Sequence, residues 1–120
     1  MPDYGLHEPV TSLRPETIDR HRALRSLIEE LEAIDWYDQR VDATSDAALA
    51  QVLAHNRDEE KEHAMMALEW LRRRDPVLDA HMRRCLFTAG DIVHVEVETE
   101  GASGGERSLG IGNLRMGGKP

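Results

Sequence analysis

A glutamate followed three residues later by a histidine, Glu60 and His63, carries the clearest chemistry in the sequence. Residues three apart on a helix share one face, so a carboxylate oxygen and an imidazole nitrogen can close on one cation. A second acid, Glu30, sits in an earlier segment whose apolar residues recur with a helical period. Glu29 and Glu32 flank it, and His55, Glu59 and Glu62 surround the later pair. Oxygen donors with an imidazole suit iron, and Mn²⁺ or Zn²⁺ could occupy the same ligands. A thiolate cluster is ruled out because Cys85 is the only cysteine.

Helical phase separates the inward residues from the outward ones. Counting about 100° per residue from Leu53, the positions Leu49, Val52, Ala64, Ala67, Leu68, Trp70 and Leu71 span about −100° to about +60°. Glu60 falls at about −20° and His63 at about −80°, inside that arc, while Glu59 and Glu62 point away. Counted from Leu27, the positions Ala23, Leu24, Ile28, Leu31, Ile34, Tyr37 and Val41 span about −80° to about +100°. Glu30 lies inside this arc at about −60°, and Glu29 and Glu32 face outward.

A carboxylate on an apolar face protonates, pairs or binds a metal. A Glu–His hydrogen bond satisfies it in one way, a shared cation in another. Two-iron carboxylate bundles take a lone Glu from each of two helices and a Glu-x-x-His from each of two others. The chain carries one of each, which is half. Two copies about a twofold axis would complete the set. Tyr37, one turn past Ile34, could contact the site or serve as a core or interface aromatic, and Trp36 faces outward. His55, Glu59 and Glu62 line one exposed face, as a solvated charged strip or a weak cation site.

The elements that must position these residues are helices. Pro15 and Glu16 open a helical pattern that runs to about Arg40. Asp42 to Asp46 is a turn rich in capping residues, and a second helix runs from about Asp46 to Arg74. Asp75-Pro76 starts a short third helix, with Leu78, Met82, Cys85 and Leu86 on one stripe, stopping near Gly90. The fold expected is all-α: an antiparallel two-helix hairpin plus a short third helix, completing a four-helix bundle by homodimerisation. Residues 1–14 form an N-terminal extension and 15–90 the helical domain. Residues 91–107 read as a flexible linker, with the Val93, Val95, Val97 alternation as an edge strand in the alternative reading. Residues 108–120 are a Gly-rich tail carrying Leu109, Ile111 and Leu114.

Composition agrees. At 120 residues with 4% aromatic side chains, one copy buries a thin aliphatic core, and association is a common remedy. The net charge of −8 disfavours nucleic acid and favours cations. A single cysteine fits a reducing compartment. The first residues, MPDYGLHEPV, read as no export signal, and no apolar run is long enough to span a membrane.

Two stretches together carry a likeness. Glu29 to Arg40 (EELEAIDWYDQR) and His55 to Ala64 (HNRDEEKEHA) resemble the encapsulated ferritins, over about residues 7–90. The resemblance implies a ferroxidase that oxidises Fe²⁺ with dioxygen, two irons to each subunit pair. It implies a ring-shaped homodecamer of five dimers with iron at the dimer interface. It further implies that Glu30, Glu60 and His63 are iron ligands, with Tyr37 close to the metals and Trp36 a neighbouring aromatic. Glu29 and Glu32 match an acidic metal-entrance site, and His55, Glu59 and Glu62 a peripheral cation site, with Ca²⁺ a candidate at either. SLGIGNLR, residues 108–115, is similar to peptides that dock cargo inside encapsulin shells, although Asn113 stands where such peptides often have Ser. The implied location is cytoplasmic, inside an encapsulin nanocompartment, with iron delivered there for mineral storage.

Overall fold

The computed structural model describes residues 5–93, and helices are the regular elements found among them. A 3₁₀ turn at Val10–Ser12 leads into α1, Pro15–Ala43. Pro15 occupies the first turn, where its missing N–H is not needed, and Arg14 before it is extended, as a residue preceding proline prefers. Helix α1 runs one turn past the expected end, because Thr44 N–H still bonds to the Arg40 carbonyl at 3.1 Å.

The turn is built from side chains. Asp46 N–H donates to Thr44 Oγ1 at 3.1 Å, and the Asp46 carboxylate accepts from Leu49 N–H at 3.1 Å. That second bond is an N-cap, and it starts α2, Ala47–Arg72. The helix ends where Glu69 gathers Arg72 at 2.7 Å and Arg73 at 2.8 Å. Those two guanidiniums hold the Glu69 carboxyl down at about 2. Cations in a last turn also complement the helix dipole.

Helices α1 and α2 pack as an antiparallel hairpin. Its core is as thin as the composition implies: Ala64 and Leu71 are the buried apolar residues. A small residue at the contact lets the two backbones approach. Each apolar arc is wider than one partner helix covers. Leu24, Ile28 and Leu31 on α1, with Leu49 and Val52 on α2, are left between 40% and 56% exposed.

Among the described residues, those from Val77 to Val93 belong to a separate unit. Its helix, α3, covers Pro76–Cys85, with Asp79 in its first turn and Arg83 and Arg84 in its last. It stops short of the expected Gly90. Phe87 adopts φ 60, a left-handed conformation that breaks the helical path, and Thr88 Oγ1 caps the Cys85 carbonyl at 3.4 Å. Cys85 is free and half-buried. The strand-or-linker stretch beyond Val93 and the tail at 108–120 lie outside the described residues. No described helix is long and apolar enough to cross a membrane.

The core contact makes one expectation. Ala64 is fully buried, so Ala64→Leu overfills its site and should destabilise the hairpin by about 1–3 kcal/mol. Thermal unfolding followed by far-UV circular dichroism would register the loss as a lowered midpoint.

Candidate metal centre

Glu30, near the middle of α1, faces Glu60 and His63 on α2. One ligand atom from each lies within 4.8 Å of the others, and this is the group of metal-capable side chains found among the described residues. His63 Nδ1 is 3.3 Å from Glu60 Oε1 and 3.7 Å from Glu30 Oε1. The i,i+3 spacing on α2 supplies the first contact. The hairpin supplies the second.

Neither carboxylate is in bulk water. The side chains of Glu30 and Glu60 are 26% and 24% exposed, and that of His63 is 43%. Two carboxyls that face each other disfavour ionising together. The Glu30 carboxyl is pushed above the ordinary range by the hydrogen bond to Glu60, then by burial and by the Glu60 charge, with His63 pulling the other way. The Glu60 carboxyl is lowered, first by the bond from Glu30 and then by His63. The Glu30 carboxyl therefore holds its proton to higher pH than an isolated carboxyl would.

The outward residues stay outward. Glu29, Glu32, Glu59 and Glu62 are exposed, as helical phase requires. His55 Nε2 comes to 3.9 Å from Glu59 Oε2 on the surface of α2, with 73% and 50% of those side chains exposed. Within the described residues, neither outer set gathers three ligands. Tyr37 is half-buried with the Arg40 guanidinium 5.4 Å from its ring centre, and Trp36, 51% exposed, lines a shallow groove with Gln39, Arg40 and Ala43.

Sequence reasoning passed over one cross-hairpin contact. Arg57 of α2 reaches Asp38 of α1 at 2.8 Å. Phase would have found it: Asp38 falls at about +20° and Arg57 at about +40°, each inside its apolar arc.

The comparisons with known proteins are decisive at this point. The model of the EncFtn-like family matches residues 5–89. The chain belongs to that family. It is 54% identical to the "Encapsulated ferritin-like protein" of Rhodospirillum rubrum, over 91% of this chain and 86% of that protein. It is 36% identical to the "Encapsulin nanocompartment cargo protein EncC" of Myxococcus xanthus, over 78% and 83%. A crystal structure of protein ne0167 from Nitrosomonas europaea, 57% identical, superposes with a TM-score of 0.73 and covers 75% of this chain and 99% of that one. The likeness to the R. rubrum protein is too long to fit within residues 5–89, so it continues past Ala89. EncFtn-like membership bears out the resemblance drawn from the two motifs and ties the chain to ferritin-like iron chemistry.

Any divalent metal that binds this EncFtn-like triad must displace the Glu30 proton. Apparent affinity should therefore climb as pH rises through the raised Glu30 midpoint. Calorimetric Co²⁺ titrations in buffers of different protonation enthalpy would show the released proton. Glu60→Gln should remove the neighbouring charge and let the Glu30 midpoint fall back toward ordinary carboxylates, as followed by carbon-13 NMR of the side chain.

Proposed function

We propose that the chain is a ferroxidase, oxidising Fe²⁺ to Fe³⁺ with dioxygen at a two-iron site shared between two copies. The observation that carries this reading is the convergence of Glu30, Glu60 and His63 from two helices onto one half-buried point. These residues are the lone Glu and the Glu-x-x-His that half of a two-iron carboxylate site requires. A second copy would supply the other half. The exposed apolar residues Leu24, Ile28, Leu31, Leu49 and Val52 support association, because a lone hairpin leaves them in water.

Iron is the substrate in this reading. Oxygen donors stabilise the ferric product, and the imidazole completes a set suited to either oxidation state. Each Fe²⁺ gives up one electron and dioxygen accepts them. Glu30 surrenders its proton as the metal arrives, so the site is charge-compensated only when loaded. Tyr37 lies on the inward face of α1 and is the candidate to contact the metals. Glu29 and Glu32 would draw cations inward as an entrance site, with His55, Glu59 and Glu62 as a peripheral site; Ca²⁺ is a possible occupant of both.

The assembled form proposed is a ring-shaped decamer of five dimers. It would sit in the cytoplasm inside an encapsulin shell and hand Fe³⁺ on for mineral storage. Residues 108–115 would dock to the shell through Leu109, Ile111 and Leu114, with 91–107 as tether and 1–14 as an extension before the ferritin-like domain. The cargo name of the M. xanthus relative and the continuation of the R. rubrum likeness past Ala89 support the docking role.

Oxygen uptake on anaerobic-to-aerobic addition of Fe²⁺ tests the chemistry. The chain should consume oxygen with iron, and Glu60→Ala combined with His63→Ala should reduce the rate to that of buffer. A passive metal carrier would show no uptake above buffer in either protein. Light scattering should give a species larger than one chain, and a monomer oxidising iron at full rate would refute the shared site.

A further inference from the structure

Arg57 sits at a junction. Its Nη1 donates to Asp38 Oδ1 at 2.8 Å, across the hairpin, while its Nε donates to Asp58 Oδ1 at 3.1 Å. Asp58 in turn is held by Lys61 Nζ at 3.2 Å. The Arg57 side chain is only 23% exposed, against 60% for each of the two aspartates it holds. A guanidinium can serve two carboxylates at once because its donors are fixed in a planar fork, which an ammonium cannot imitate. Asp58 and Lys61 thus fix the direction in which Arg57 extends.

The two cross-hairpin contacts keep one register. In an antiparallel pair, a residue nearer the turn on one helix must face a residue nearer the turn on the other. Arg57 precedes Glu60 and His63 on α2, and Asp38 follows Glu30 on α1 by about two turns. Both contacts therefore belong to the same alignment of the helices, and all of these residues lie on the inward arcs. A core of Ala64 and Leu71 offers little to hold the facing acids Glu30 and Glu60 in line. Asp38 against Arg57 is an attraction on the same faces.

We propose that the Asp38–Arg57 ion pair is a positioning contact that holds α1 in register on α2, keeping Glu30 opposite Glu60 and His63 before any metal is bound. Asp38 and Arg57 are placed away from the metal and act through the ligands, not on the substrate. The inference rests on the metal-binding reading of the triad.

The test is an anaerobic Co²⁺ titration of the full chain, read by the visible d–d absorption, whose intensity and shape report ligand geometry. The control arm is wild type against Glu60→Ala with His63→Ala. If wild type shows no ligand-dependent Co²⁺ band, the metal reading fails and takes this inference with it. Given that band, Asp38→Asn and Arg57→Gln should each weaken Co²⁺ binding about fivefold, the scale of one partly exposed ion pair. They should also alter the band shape, which mere loss of stability in a folded sample would leave alone. Arg57→Lys should fall between, and the exchange Asp38→Arg with Arg57→Asp should recover most of the affinity. Wild-type affinity and band shape in Asp38→Asn and Arg57→Gln would overturn the positioning role while leaving the metal reading intact. If either single variant fails to fold, the exchanged pair decides: a folded protein with affinity no better than about fivefold below wild type overturns it.

Discussion

Across the hairpin of α1 and α2, the carboxyl groups of Glu30 and Glu60 meet where about a quarter of each side chain remains in contact with water. In water such groups would both ionise and separate. Here the hydrogen bond between them, with burial adding to it, raises the Glu30 carboxyl, and the same bond lowers that of Glu60. A proton is a poor solution, because it leaves the remaining oxygens and the His63 nitrogen underused. A divalent cation would satisfy all three groups, and the proposed preference for metal would then follow from the cost of leaving the acids face to face without one.

That constraint explains why the helices are composed as they are. A large apolar core between α1 and α2 would bury the acids completely and raise the cost of each charge left unpaired. A hairpin with no core would let the acids drift apart. The chain sits between these extremes, with Ala64 and Leu71 as its buried apolar residues. The exposed leucines and valine along the rest of each arc are consistent with the proposed second copy, which would both cover them and supply the missing ligands. Stability and site completion then become one event, in which association removes apolar surface from water and doubles the donor set.

Helical phase made most of this legible from the amino acids alone. It placed Glu30, Glu60 and His63 inward and Glu29, Glu32, Glu59 and Glu62 outward, because on a straight amphipathic helix angular position is nearly a burial assignment. The hairpin and the Asp46 cap followed from local chemistry of the same strength. The end of α3 did not. Leu86 continues its apolar stripe, and nothing in the residue types announces that Phe87 will take a left-handed backbone. Arg57 and Asp38 escaped for a different reason: the search went along each helix for ligands, whereas an ion pair between helices appears only when the two phases are read against each other. Residues whose role is to align others carry no signature of their own.

The openness of the triad bears on what kind of metal site it can be. Structural metal sites are closed, with every coordination position taken by protein, whereas sites that turn over keep a position free. One chain offers three converging ligands, with the His63 side chain 43% exposed. Such a set holds a cation without enclosing it. In the proposed shared site a second copy would supply further ligands, and room would remain for water or dioxygen. A site of this kind also lets its product leave, which an iron-oxidising protein needs and a structural metal site would lack. The half-burial that raises the cost of the facing acids would therefore also let a proposed loaded site release its product.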